Sequence, residues 1–174
     1  MPLQDVYPGT YLPRDSEHGA LKSIDYAHDS IHDGQIFRGG AYSALGTSSA
    51  VSILIVTGAT YNEDVMIGIN TDGPGIGNVY EAPDATGGSA ITALNANRDS
   101  TAGSRLTLTK NPTITTAGTT MGTRILGAEG FKGDTGGDVT SSWWVFKNGT
   151  KYLLRFTADA ATCRTLLKVI SNEV

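Results

Sequence analysis

Apolar residues along this chain fall into short runs separated by turn formers. The rhythm predicts eight strands, at 31–38, 50–57, 64–70, 77–81, 105–109, 142–147, 151–157 and 163–170. In the run Val51, Ile53, Leu54, Ile55, Val56 strict alternation is missing, which is the pattern of a strand covered on both faces. Ser104-Arg105-Leu106-Thr107-Leu108-Thr109 alternates cleanly, so Leu106 and Leu108 are expected inward and Arg105, Thr107 and Thr109 outward. Many short strands in one chain predict an all-β fold, a single-domain β-sandwich of jelly-roll type. Residues 1–20 carry Pro2, Pro8 and Pro13 with no hydrophobic period. Each proline removes a backbone donor and disfavours helix before it, so this segment is expected to be an extended N-terminal arm and 21–174 the domain.

The strongest local prediction is a hairpin over Trp143–Phe156, because Asn148-Gly149 is the preferred two-residue loop of a type I′ turn. Counting outward from that turn sets Val145 opposite Tyr152 and Trp143 opposite Leu154, which with Phe156 would make one core-facing set. The opposite face would carry Trp144, Phe146 and Leu153 with Lys151 and Arg155. A face with those three side chains needs a cover, either from the same chain or from another subunit.

Composition agrees with strands and turns: 22 glycines, abundant Thr, Ser and Ala, and only 17% charged residues. Long amphipathic helices would want Glu, Lys and Leu instead. Cys163 is the single cysteine and cannot form an internal bridge, which fits a protein made in a reducing cytoplasm. The net charge of -4 comes without a basic run, so neither nucleic acid nor an anionic membrane is an expected partner. The N-terminus lacks the basic start and apolar block of a signal peptide, and Val51–Val56 is too short to span a bilayer.

Candidate chemistry is sparse. His28 and His32 stand at i, i+4 spacing, but Asp29 replaces the Glu of a zinc-protease sequence and no third ligand is evident, so a hydrogen-bonded pair is expected and no metal. Gly73-Pro74-Gly75-Ile76-Gly77 reads as a turn, since Pro74 interrupts it and no helix pattern follows to hold a phosphate. Gly127, Gly130, Gly133 and Gly136 recur every third residue over too short a length for a triple helix, which predicts a flexible loop in which Asp134 and Asp138 are solvated. Cys163 shares a strand face with Leu167 and Val169 and is expected to be a small core residue. Asn148-Gly149-Thr150 spells a glycosylation sequon but falls on the turn. No catalytic residue and no cofactor is expected, and the chain does not read as an enzyme.

The segments Ser23–Gly34, Val79-Tyr80-Glu81-Ala82-Pro83, Asn95–Ser100, Asn111–Thr119 and Lys151–Thr157, taken in this order, resemble a group of small virion proteins of tailed bacteriophages, the head-decoration or cement proteins. The likeness covers about residues 20–160 and departs at the C-terminus, where this chain ends Ile170-Ser171-Asn172-Glu173-Val174. The resemblance implies a jelly-roll virion structural protein, often a homotrimer, that sits on the capsid surface and clamps neighbouring major capsid protein subunits. Expected interface residues are Tyr7, Tyr11 and Leu12 of the arm, Arg98 of a loop, and Trp144, Phe146 and Leu153. The alternatives are a virion sugar-binding or receptor-binding module, or a neck or tail component.

Overall fold

The structure is a computed structural model, and it describes residues 30–127 and 142–173. Helix among these is confined to residues 30–32, and none is long and apolar enough to cross a membrane. Thirteen strands follow: β1 (Ile36–Leu45), β2 (Ala50–Val56), β3 (Glu63–Thr71), β4 (Gly75–Glu81), β5 (Asp84–Thr86), β6 (Ser89–Ile91), β7 (Leu94–Asn95), β8 (Thr107–Lys110), β9 (Thr113–Thr116), β10 (Thr119–Leu126), β11 (Ser142–Phe146), β12 (Lys151–Ala158) and β13 (Cys163–Asn172).

One sheet has the order β11-β3-β13-β1-β7 and the other β10-β4-β12-β2-β8-β6, while β5 and β9 form a separate ribbon. Four antiparallel pairings explain this order. They join β1 with β13, β2 with β12, β3 with β11 and β4 with β10. The chain is thus one long hairpin, folded back between β4 and β10, whose paired ribbon is wound so that successive pairs alternate between two sheets. That is the jelly roll, and winding this way hides most edges inside the sheets. Strands β5 to β9 are inserted at the tip of the long hairpin.

The expected hairpin at Asn148-Gly149 is therefore corrected. β11 pairs with β3 in the first sheet, and β12 pairs with β2 and β4 in the second, so the turn is a corner between sheets. Of its two central residues only Gly149 has positive φ, at 58°, whereas type I′ requires both. The corner is held across the sandwich instead. Gly149 N donates to Gly58 O at 2.7 Å, and Asn148 Nδ2 donates to Ala59 O at 3.0 Å. Thr57 Oγ1 accepts from Thr150 N and donates to Lys147 O.

Between the sheets the inward residues alternate along each strand: Val51, Ile53 and Ile55; Val65, Ile67 and Ile69; Tyr152, Leu154 and Phe156; Leu167 and Val169. Each such burial contributes about 1.5–3 kcal/mol, so this layer holds the fold. Leu106, Leu108 and Cys163 join it as expected, and β2 is covered on both faces. The first strand starts later than predicted, at Ile36, because the chain reverses at Gly34, whose φ is +72° and whose place against Ser100 leaves no room for a Cβ. The strands missed by pattern, β5, β6, β7, β9 and β10, are short or rich in Thr and Ser. They lie at edges or in the ribbon, where no apolar alternation is required.

Candidate interaction surfaces

On β11 the face assignment is the reverse of that expected from the hairpin. Pairing with β3 sets Trp144 against Val65 and Phe146 against Glu63, both inward residues, so Phe146 is fully buried and Trp144 packs on the core. Phe146 stacks on Tyr152 with ring centroids 3.8 Å apart and planes 9° from parallel. Burial raises the Tyr152 pKa. Its hydroxyl accepts from Lys147 N at 2.9 Å and faces Glu81 Oε1 at 3.4 Å. The hydrogen bond from Lys147, whose Nζ lies 2.7 Å from Glu81 Oε1, lowers the Glu81 pKa.

Leu153 is fully buried too, on the outer face of the second sheet beside Leu54. The β5–β9 ribbon lies against this face: Lys151 Nζ donates to Ala85 O at 3.2 Å, and Ala85 is itself buried. Phe146 and Leu153 are thus occupied within the chain and do not present an interface. Tyr7, Tyr11 and Leu12 lie outside the described residues, as do His28 and the segment holding Asp134 and Asp138. Arg98 is exposed, and asparagines pin its loop instead. Asn95 Nδ2 donates to Gly34 O, Asn97 Nδ2 to His32 O, and Asp99 N to Asn97 Oδ1.

The surface that sequence reasoning missed is the outer face of the first sheet. Strand register places Trp143, Met66, Ile170, Arg38 and Leu94 side by side in one row across all five strands. Four residues back along β13, Leu166 lies between Asn70 and Tyr42. Trp143 (58%), Val145 (68%), Tyr42 (57%) and Leu94 (53%) are four of the seven large apolar side chains left exposed among the described residues, and all four point from this face. The wet side of an antiparallel sheet ordinarily carries polar residues, so this face is built to be covered. A signal was present: with Cys163, Leu167 and Val169 inward, Leu166 and Ile170 must point the other way.

Two further features border the sandwich. Where β10 and β11 flank the open side, a groove of about 250 Å³ is lined by Ile67, Ile69, Val79, Trp144 and Arg124, among others, and Trp144 Nε1 is buried without a partner. At the other end, Glu63 and Glu173 converge on Arg105. Arg105 Nη2 donates to Glu63 Oε2 at 3.1 Å. Arg105 Nε approaches Glu63 Oε1 at 2.9 Å as a charge contact, without hydrogen-bond alignment. Glu173 accepts from Ser104 Oγ, Arg105 N and Ser171 Oγ, which ties the end of the last strand to the segment before β8. Burial raises the Glu63 pKa against the opposing pull of Arg105. Every charge here has a partner, so the cluster is a structural lock.

Among the described residues no three His, Cys, Asp or Glu side chains come together to hold a metal. Compared with protein-family models, curated proteins and solved structures, the chain matches none.

Proposed function

We propose that this chain is a non-catalytic virion structural protein of a tailed bacteriophage, a capsid decoration (cement) protein. In this reading it is made in the host cytoplasm, self-associates as a homotrimer, binds the outside of the shell and bridges neighbouring major capsid protein subunits. The observation that carries an assembly role is the apolar row on the outer face of the first sheet. Leaving Trp143, Val145, Tyr42 and Leu94 in water forfeits the favourable transfer of large apolar areas, and association with another protein surface recovers it. The ordered segments that resemble decoration proteins supply the virion context, and a jelly roll with few open edges suits a lattice that must not aggregate. The buried polar chemistry fits this role as well, since the Glu63–Arg105–Glu173 cluster braces the fold.

The test is co-sedimentation of the purified chain with phage shells lacking their decoration protein, run beside a glycan array. Saturable binding to shells with no glycan retained is the expected result. Glycan binding without shell binding would overturn the reading in favour of a sugar- or receptor-recognition module.

A further inference from the structure

The corner between β11 and β12 holds one piece of unused chemistry, the pair Asn148-Gly149. An asparagine followed by glycine is prone to cyclise, because glycine has no Cβ to impede the approach of its nitrogen. The Gly149 nitrogen loses its proton and attacks Asn148 Cγ, and ammonia leaves. Water then opens the succinimide at either carbonyl, giving aspartate or isoaspartate. No oxidant, metal or enzyme is needed. Elsewhere only Asp33-Gly34 and Asp72-Gly73 spell a comparable pair, and a carboxylate resists such attack more than a neutral amide does.

In the folded chain both reacting groups are engaged. Gly149 N donates to Gly58 O at 2.7 Å, so the nucleophile keeps its proton. Asn148 Nδ2, the nitrogen that must leave, donates to Ala59 O at 3.0 Å. Asn148 N donates to Asn62 Oδ1 at 3.1 Å, and Thr150 Oγ1 donates to Asn148 O at 3.0 Å. Thr57 ties down both flanks of the pair through Lys147 O and Thr150 N. Yet Asn148 and Gly149 are exposed, so water and hydroxide reach them once these bonds open. Exposed backbone hydrogen bonds of this kind open locally, without global unfolding.

The product cannot remake the corner. A carboxylate at position 148 has no hydrogen to donate and sets a charged acceptor against the Ala59 carbonyl oxygen. Isoaspartate also lengthens the backbone by one carbon, which shifts Gly149 out of line with Gly58.

We propose that Asn148 is a deamidation site gated by this corner. Closed, the corner protects the amide; each opening exposes it to conversion; and conversion leaves the corner unable to close as before. The chain thereby carries a one-way record of its own local opening.

The test incubates the full chain at mildly alkaline pH, native and unfolded in guanidinium chloride, and follows Asn148 by peptide mapping with mass spectrometry. Two hydrogen bonds of ordinary net strength predict native conversion slower by roughly tenfold or more. Asn62→Ala, at an exposed position, removes one bond of the corner and should speed native conversion several-fold with circular dichroism unchanged. Native conversion as fast as in the unfolded chain, or indifferent to Asn62→Ala, would overturn the gate. Asn148→Asp reproduces one product, and amide hydrogen exchange at Gly149 and Thr150 should then be about tenfold faster than in the natural chain. Exchange equal to the natural chain's at these two amides would show that the corner recloses and would overturn the one-way step.

Discussion

The two sheets of this sandwich treat their outer faces differently. On the second sheet Leu54 and Leu153 point outward and are buried, and Lys151 on the same face donates to Ala85 of the inserted β5–β9 ribbon. On the first sheet Trp143, Val145, Tyr42 and Leu94 point outward and stay exposed. Both faces carry large apolar residues: the second sheet buries them around β2 and β12 and exposes only Ile76 and Ile125 towards its β10 edge, whereas the first sheet exposes them from β11 across to β7. A jelly roll needs only its interior to fold, so an apolar outer face left open among the described residues is surplus to folding and is what the proposed assembly role would use.

Mutations that separate interior, covered face and open face put this contrast to work. Phe146→Ala, in the interior, should cost about 3–5 kcal/mol in urea unfolding, because the ring stacked on Tyr152 leaves a cavity. A cost near zero would mean that β11 is turned the other way, as the hairpin count had it. Leu153→Ala should cost about 2–5 kcal/mol, a core-like value for a residue on an outer face. A loss under about 0.5 kcal/mol would show that the ribbon is not a true cover.

The Glu63 lock should register in pH dependence. Its folded pKa lies above the ordinary 4.5, so the folded chain holds this proton more tightly than the unfolded chain. The contribution of Glu63 to stability therefore grows as pH falls from above the folded pKa towards 4.5, then levels off. Urea midpoints of the natural chain relative to Glu63→Gln should rise through that window as pH is lowered, and a constant difference would show that Arg105 fully offsets the burial. The smallest effect is expected on the open face, where Trp143→Ser should move the unfolding free energy of the monomer by no more than about 0.5 kcal/mol.

The fold class was legible in the sequence because alternation and turn residues are local. The positions of β2, β3, β4, β11, β12 and β13 follow from them to within a few residues. Pairing was not legible where the jelly roll overrides the nearest neighbour. Asn148-Gly149 has the letters of a hairpin, but β11 finds β3 about eighty residues away, and one wrong partner reversed every side chain on that strand. Trp143 and Trp144 show how little the sequence can arbitrate here, since two adjacent tryptophans offer the same letter to either face. The candidate surface shared that fate: Trp144 and Phe146 were expected at an interface and lie inward, while Trp143 and Val145 were expected in the core and lie in the open.

The account rests on the outer face of the first sheet being an assembly surface, and the molar mass of the chain in solution tests this most directly. Multi-angle light scattering of the purified full chain should give about three times 18.2 kDa, falling towards 18.2 kDa for Trp143→Asp with the fold intact by circular dichroism. A mass of 18.2 kDa for the natural chain at every concentration, or a Trp143→Asp variant that keeps the full assembly mass, would contradict it.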